Sequence, residues 1–245
     1  MAIINTSTGM GPQATTGIGQ WLLDAAELFL PRRCSACDRP LMTHEKAVCL
    51  PCVLDLPRTG MHLQADNRVE RLFHGKVVVE AAAALLQFNR RGRTQRMLHR
   101  LKYQGDRAVG LELGRWMAEA LRASPRFATV DHVLAVPLHP HRLRERGYNQ
   151  SQVLVDGFQE LWPLRTPDQG LMRVVRTSTQ TRKGRWERWT NVKEAFELGE
   201  TRSLAGAHVL MVDDVITTGA TLEGCIRALL RVPDLRVSVC TAATA

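Results

Sequence analysis

Apolar residues recur along this chain with two periods, and the period changes from segment to segment. Near the N-terminus "IGQWLLDAAELFLP" places Trp21, Leu22, Ala25, Leu28 and Phe29 on one stripe, which predicts an amphipathic helix ended by Pro31. Its polar face carries Asp24 and Glu27 rather than basic residues, so packing against its own protein is favoured over a membrane surface. Residues 1–17, rich in Gly, Thr and Ser, read as disordered, and 57–70 reads as a polar linker. "VVVEAAAALLQF" suits a strand or a buried helix; its valines and flanking turns favour the strand. "RTQRMLHRLKYQGD" and "AVGLELGRWMAEALRAS" predict helices, the second with Val109, Leu113, Trp116, Met117, Ala120 and Leu121 at helical spacing.

Beyond residue 130 short apolar runs alternate with helical patterns. "HVLAV" predicts a buried strand stopped by Pro137, and "QSQVLVDGFQELW" a helix. "LMRVV" is a further candidate strand before a charged segment at 176–190. "HVLMVDD" (strand), "ATLEGCIRALLR" (helix) and "LRVSVCTAAT" (strand) complete the chain. Strand–helix alternation predicts an α/β fold with a parallel sheet covered on both faces, whose ligands sit at the carboxyl ends of the strands.

The 245 residues suit one main domain with a smaller appendage, and no apolar run is long enough to span a bilayer. No leader of the secretory kind is evident, so a cytoplasmic protein is expected. Net charge is +9, with only five lysines among 33 basic residues. Arginine matches phosphate geometry, which makes anionic ligands or nucleic acid reasonable partners, although a bias toward arginine codons would look the same.

Cys34, Cys37, Cys49 and Cys52 form two CxxC hooks separated by a short spacer. Two such turns can close a thiolate tetrahedron around Zn²⁺; a redox CxxC would need a strand–helix setting, and disulfides would not persist in a reducing compartment. Four thiolates leave no open position, so the metal would be a structural staple contributing roughly 10 kcal/mol. Cys225 and Cys240 read as core residues.

"VLMVDDVITTGAT" ends an apolar run on two adjacent carboxylates and a hydroxyl-rich turn that enters a helix. Helix N-terminal N–H groups bind phosphate, and Gly219 permits close approach. Neither GxxxxGK[ST] nor GxGxxG occurs, which argues against a P-loop and a dinucleotide fold. One phosphate cradle preceded by two acids suits a phosphorylated sugar. The stretch resembles the 5-phosphoribosyl-1-pyrophosphate (PRPP) motif of type I phosphoribosyltransferases. That resemblance implies that Asp213 and Asp214 hold the ribose hydroxyls, directly or through Mg²⁺, and act as the catalytic pair. It likewise assigns the 5′-phosphate to Thr217, Thr218, Gly219, Ala220 and Thr221.

"VPLHPHRLRERGYNQSQ" follows a predicted strand as a diphosphate-binding loop does in that fold, with Arg142, Arg144 and Arg146 concentrating positive charge. With "LKYQGD", the four cysteines and the sparse pattern Thr177, Gln180, Arg188, Asn191 and Phe196, the chain from about Phe29 onward resembles the ComF family of competence proteins. The resemblance implies a type I phosphoribosyltransferase-like domain over 70–245 and a zinc-ribbon module with its leading helix over 18–60. Lys102, Arg142, Arg144, Arg146, Asn149 and Arg188 become candidates for the diphosphate site and for a hood formed by 177–191. Thr217 stands where purine-salvaging relatives carry an acid, and Lys183 where the family usually has leucine.

Three functions follow as alternatives. The first is a Mg²⁺-dependent phosphoribosyltransferase with a nitrogen acceptor, in nucleotide salvage or DNA uptake. The second is a PRPP- or nucleotide-sensing factor that binds single-stranded DNA and DNA-uptake proteins, using Arg90, Arg91, Arg93, Arg96, Arg100 and Lys102 on phosphates. The third is an adaptor with a vestigial pocket, disfavoured because both aspartates remain. Such folds often pair, so a homodimer is compatible with each.

Overall fold

A computed structural model describes residues 32–167, 171–173, 196–199 and 204–245. The N-terminal amphipathic helix expected at 18–31 and the hood expected at 177–191, with Arg188, lie outside the described residues.

Four parallel strands form the main sheet in the order β1-β6-β5-β2: β1 (Ala82–Gln87), β2 (His132–Ala135), β5 (His208–Ile216) and β6 (Arg236–Thr244). The central strands β5 and β6 are almost wholly buried. Burial on both faces is why β5 carries the continuous apolar run 209–212, while β6 fills its buried positions with small residues that include Ser238 and Thr241. Helices α3 (Arg93–Tyr103), α4 (Arg107–Arg122) and α6 (Gln150–Gln159) bury one face, with Leu101, Leu113, Leu154 and Phe158 packed on Leu210 and Val212. Helices α2 (Arg68–Arg71) and α7 (Ala220–Leu229) cover the other, where Phe73, Leu222 and Ile226 meet Met211 and Val239. These layers are the architecture that the strand–helix alternation predicts.

Two expectations are corrected. The described part of the candidate strand "LMRVV", Leu171–Arg173, is a strand (β3), but it pairs antiparallel with β4 (Phe196–Leu198) in a separate two-stranded ribbon rather than joining the parallel sheet. Its apolar pattern satisfied the local rule for a strand, but pairing is a long-range choice that a short run does not encode. Nor is 57–70 a linker. Thr59 N–H donates to Leu85 O, Asn67 Nδ2 donates to Ala82 O at 2.7 Å, and Glu70 Oε1 accepts from Ala82 N–H at 3.1 Å. The segment therefore satisfies the open edge of β1, which would otherwise present unpaired backbone groups.

The cysteine segment packs directly on this body. Cys34, Ala36, Val48, Cys49 and Cys52 belong to the same apolar core as α3 and α4. A short helix, α1 (Leu50–Leu54), closes the second CxxC hook.

Candidate functional site

Strand β5 sets the geometry. β2 pairs with it only as far as Ala135↔Val212, where Val136 N–H donates to Val212 O and Pro137 follows. β6 continues alongside to Ile216↔Thr244. Beyond Val212 one edge of β5 is thus open, and Asp213 and Asp214 sit on that extension rather than at the end of the strand. The cleft begins where β2 stops.

Three elements converge on the two acids. Ser151, in the first turn of α6, donates its hydroxyl to Asp213 Oδ1 at 2.8 Å, and the Asp214 N–H donates to the same oxygen at 2.9 Å. Lys102, in the last turn of α3, places Nζ 2.9 Å from Asp214 Oδ1. Asp213 is half-buried and borders the open space beside the 217–219 turn. Burial, followed by the Asp214 carboxylate, pushes its pKa up to about 7, against the pull of Ser151 and Lys102. Arg173 of β3 is close enough to Asp213 for their charges to interact, and burial lowers its own pKa. The sequence offered no signal for Ser151 or Arg173: a serine in a helix and an arginine in a short strand acquire this setting only through the packing of α6 and β3.

After β5 the chain turns at 217–219 and enters α7. Gly219 is the N-cap with φ +76°, and the Thr218 hydroxyl accepts a long 3.5 Å hydrogen bond from the Ala220 N–H. A Cβ there would meet only ordinary contacts at 3.5 Å from Leu72 and Phe73, so glycine is required by its left-handed backbone rather than by space. Asp213 and the 215–222 turn line a shallow open pocket of about 60 Å³. Thr217, Thr218 and Ala220 are exposed and Thr221 half-buried, so hydroxyls and the first turn of α7 border open space.

The arginine-rich segment forms α5 (Pro140–Arg146), and its three arginines differ. Arg142 and Arg144 are exposed. They gather with Arg173, and together with burial these charges hold the His139 pKa below its usual value, burial being the larger effect. Arg146 donates to Gln150 Oε1 at 2.8 Å and stacks over the Tyr103 ring at 5.1 Å. Asn149 caps α6, accepting from Ser151 N–H and donating to Val136 O. The structure therefore brings Lys102, Asp213 and Asp214 together beside the 217–221 turn. It engages Arg146 and Asn149 in holding the loop.

The four cysteine sulfurs lie within 4.8 Å of one another, and Cys37 Sγ and Cys49 Sγ are 3.7 Å apart. Zn–S bonds of about 2.3 Å in a tetrahedron require sulfurs about 3.8 Å apart, whereas a disulfide needs about 2.0 Å. All four cysteines are free thiols, so the donor set fits a structural zinc. Burial opposes ionisation of Cys37, but the Arg39 backbone and the neighbouring thiols bring its pKa down to about 7. Among the described residues no other group of three or more metal-binding side chains occurs. Two carboxylates alone are too few for a dedicated Mg²⁺ cage; they fit a Mg²⁺ that arrives with phosphate oxygens and water completing its shell.

A parallel α/β body carrying a four-cysteine module and a two-acid strand-to-helix turn is the class of protein that fold and site define. Its sequence relatives are competence and DNA-utilisation proteins, in agreement with the ComF resemblance. The chain is 29% identical to DNA utilization protein YhgH of Escherichia coli O6:H1 over 201 residues, covering 81% of this chain and 84% of that protein. It is 32% identical to competence protein F of Haemophilus influenzae over 139 residues, 55% of this chain and 60% of that one. Competence protein ComFC of Bacillus subtilis is 26% identical over 202 residues, 80% and 71% of the two chains. No family model matches the chain. Among solved structures, UMP synthase of Leishmania donovani superposes with TM-score 0.34 and 17% identity over 58% of this chain and 24% of that one. Hypoxanthine phosphoribosyl transferase of Trypanosoma cruzi gives 0.33 and 16% over 57% and 73%. No helix among the described residues is long and apolar enough to cross a membrane.

Proposed function

We propose that this chain binds PRPP with Mg²⁺ and transfers its phosphoribosyl group to a nitrogen acceptor, in the service of DNA utilisation. The observation that carries the reading is the meeting of Asp213, Asp214 and Lys102 at the end of β5, with Asp213 and the first turn of α7 lining one open pocket. In this reading the 217–221 turn holds the 5′-phosphate and the two carboxylates hold the ribose hydroxyls. Lys102, Arg142 and Arg144 face the diphosphate, and Mg²⁺, when bound, neutralises its charge. As the C1′–O bond to diphosphate breaks, positive charge grows on the ribose ring and the acceptor nitrogen attacks C1′. Two nearby carboxylates stabilise that charge, and orientation supplies most of the remaining rate. The relatives' names, DNA utilization protein and competence protein, support a place in the handling of DNA.

Calorimetric titration with Mg²⁺ and PRPP, followed by diphosphate release with candidate bases, tests the reading. Uptake of PRPP that Asp214→Asn abolishes is the expected result; no uptake at saturating Mg²⁺ refutes it. A second reading, a PRPP- or nucleotide-sensing factor that binds single-stranded DNA, is favoured by an open groove of about 630 Å³ lined by Arg91, Arg96, His99 and Arg100, the last paired with Asp38. Affinity for single strands that falls steeply with salt would support it, and a flat response would remove it.

A further inference from the structure

Lys102 stands between the two halves of the site. Its Nζ is 2.9 Å from Asp214 Oδ1, and the side chains are 22% and 14% exposed. The backbone that carries it is tied down on both sides. Leu101 O accepts from the Tyr148 hydroxyl, and Tyr103 lies under the Arg146 guanidinium at 5.1 Å. Tyr148 is itself covered by Arg107, 4.7 Å from its ring. Both anchors, Arg146 and Tyr148, belong to the segment of Arg142 and Arg144. Residue 102 is thereby fixed between the acids and the basic loop, and only its flexible four-carbon stem can move.

The acids are unequally engaged. Asp213 Oδ1 is held by Ser151 and by the Asp214 N–H, both protein groups that no ligand need displace. Asp214 Oδ1 is held by an ammonium group that a ligand can draw away. A sugar diol offers hydroxyls to both carboxylates and competes with that ammonium. If the ligand also carries a diphosphate, Lys102 exchanges one carboxylate for a more highly charged anion and no cation is left unpaired. If the ligand lacks one, displacing Lys102 strands a half-buried cation, which is costly.

Resting on the sugar-phosphate reading of the site, we propose that Lys102 is its specificity-determining residue. By moving from Asp214 to an incoming diphosphate, it makes the pocket favour pentose phosphates that carry a diphosphate over those that carry only the 5′-phosphate.

The test is calorimetric titration, with Mg²⁺ present, of wild type and Lys102→Met with PRPP and with ribose 5-phosphate. The expected changes have opposite signs. The variant binds PRPP roughly tenfold or more weakly, having lost a charge-assisted contact. It binds ribose 5-phosphate roughly two- to fivefold more tightly, because no ion pair must be broken. In wild type, inorganic diphosphate raises the affinity for ribose 5-phosphate, since it draws Lys102 away, and by reciprocity the sugar phosphate raises the affinity for diphosphate. In the variant this coupling vanishes. Equal weakening for both ligands, no change in either, or absence of the coupling in wild type overturns the proposal. Thermal melting of the free variants checks folding, and Lys102→Gln serves if Lys102→Met melts early. Wild type that takes up neither PRPP nor ribose 5-phosphate defeats the sugar-phosphate reading itself, and this inference with it.

Discussion

Gly157 of α6 lies where that helix crosses α4, and the approach leaves no room for a side chain. A Cβ at 157 would stand 2.1 Å from Leu111 O and 2.6 Å from Leu111 Cα. Gly114 of α4 is the reciprocal case, its added Cβ falling 2.1 Å from Leu154 O. An unstrained carbon–oxygen contact needs about 3.3 Å, so Gly157→Ala forces the helices apart by roughly 1 Å, and the obstacle is backbone. Helix propensity alone would make the substitution stabilising by about 1 kcal/mol. Overpacking of this kind costs about 1–3 kcal/mol and more where backbone must shift. Because the clash is with backbone, the overpacking cost lies at about 3 kcal/mol or above. Less about 1 kcal/mol for propensity, the expected net loss is about 2 kcal/mol or more, so packing sets the sign. Because α6 carries Ser151 to Asp213 and Asn149 to Val136, the same displacement should weaken Mg²⁺-dependent PRPP uptake. Urea unfolding measures the first effect and calorimetry the second. A neutral or stabilised Gly157→Ala protein would refute the close α4–α6 contact and, with it, the account of how Ser151 is positioned.

Other predictions follow from the same contacts. Asn67 makes hydrogen bonds to Ala82 O, Gln64 O and Met61 O and accepts from Val69 and Glu70 N–H, so Asn67→Ala should cost about 2–4 kcal/mol in urea unfolding. A loss under 1 kcal/mol would mean that 57–70 does not seal the edge of β1. Elemental analysis should find one zinc per chain; Cys52→Ser should lower the metal content and melt earlier than wild type, and a metal-free protein with unchanged melting would contradict the thiolate cluster. His208, buried between Thr129 and Ser238, has its pKa depressed, mainly by burial and then by Arg236. Its neutral form is the one that the fold accepts, so its contribution is present above the ordinary value near 6.5 and is lost as pH falls below it. The urea midpoint should therefore drop between pH 7.5 and pH 5.5 in wild type and less so in His208→Gln; identical slopes would remove His208 as the cause.

Much of this was legible from local pattern. Continuous apolar runs marked β2 and β5, because strands buried on both faces have few polar positions to alternate, and β-branched and small residues marked β6. The CxxC spacing marked the metal module because two tight turns suffice to present four sulfurs, and the two acids before a glycine turn marked the pocket because strand, turn and helix are contiguous in the chain. In each case the residues that interact are neighbours in sequence, or repeat with the period of their own element. Tertiary structure alone decided the rest. It placed Leu171–Arg173 in a side ribbon and used Asn67 and Glu70 to finish the edge of a strand. It brought Ser151 and Lys102, from two separate helices, onto Asp213 and Asp214. Those partners are dozens of residues apart, and their meeting depends on how closely α4 and α6 pack and on where β2 stops, quantities that no local periodicity carries.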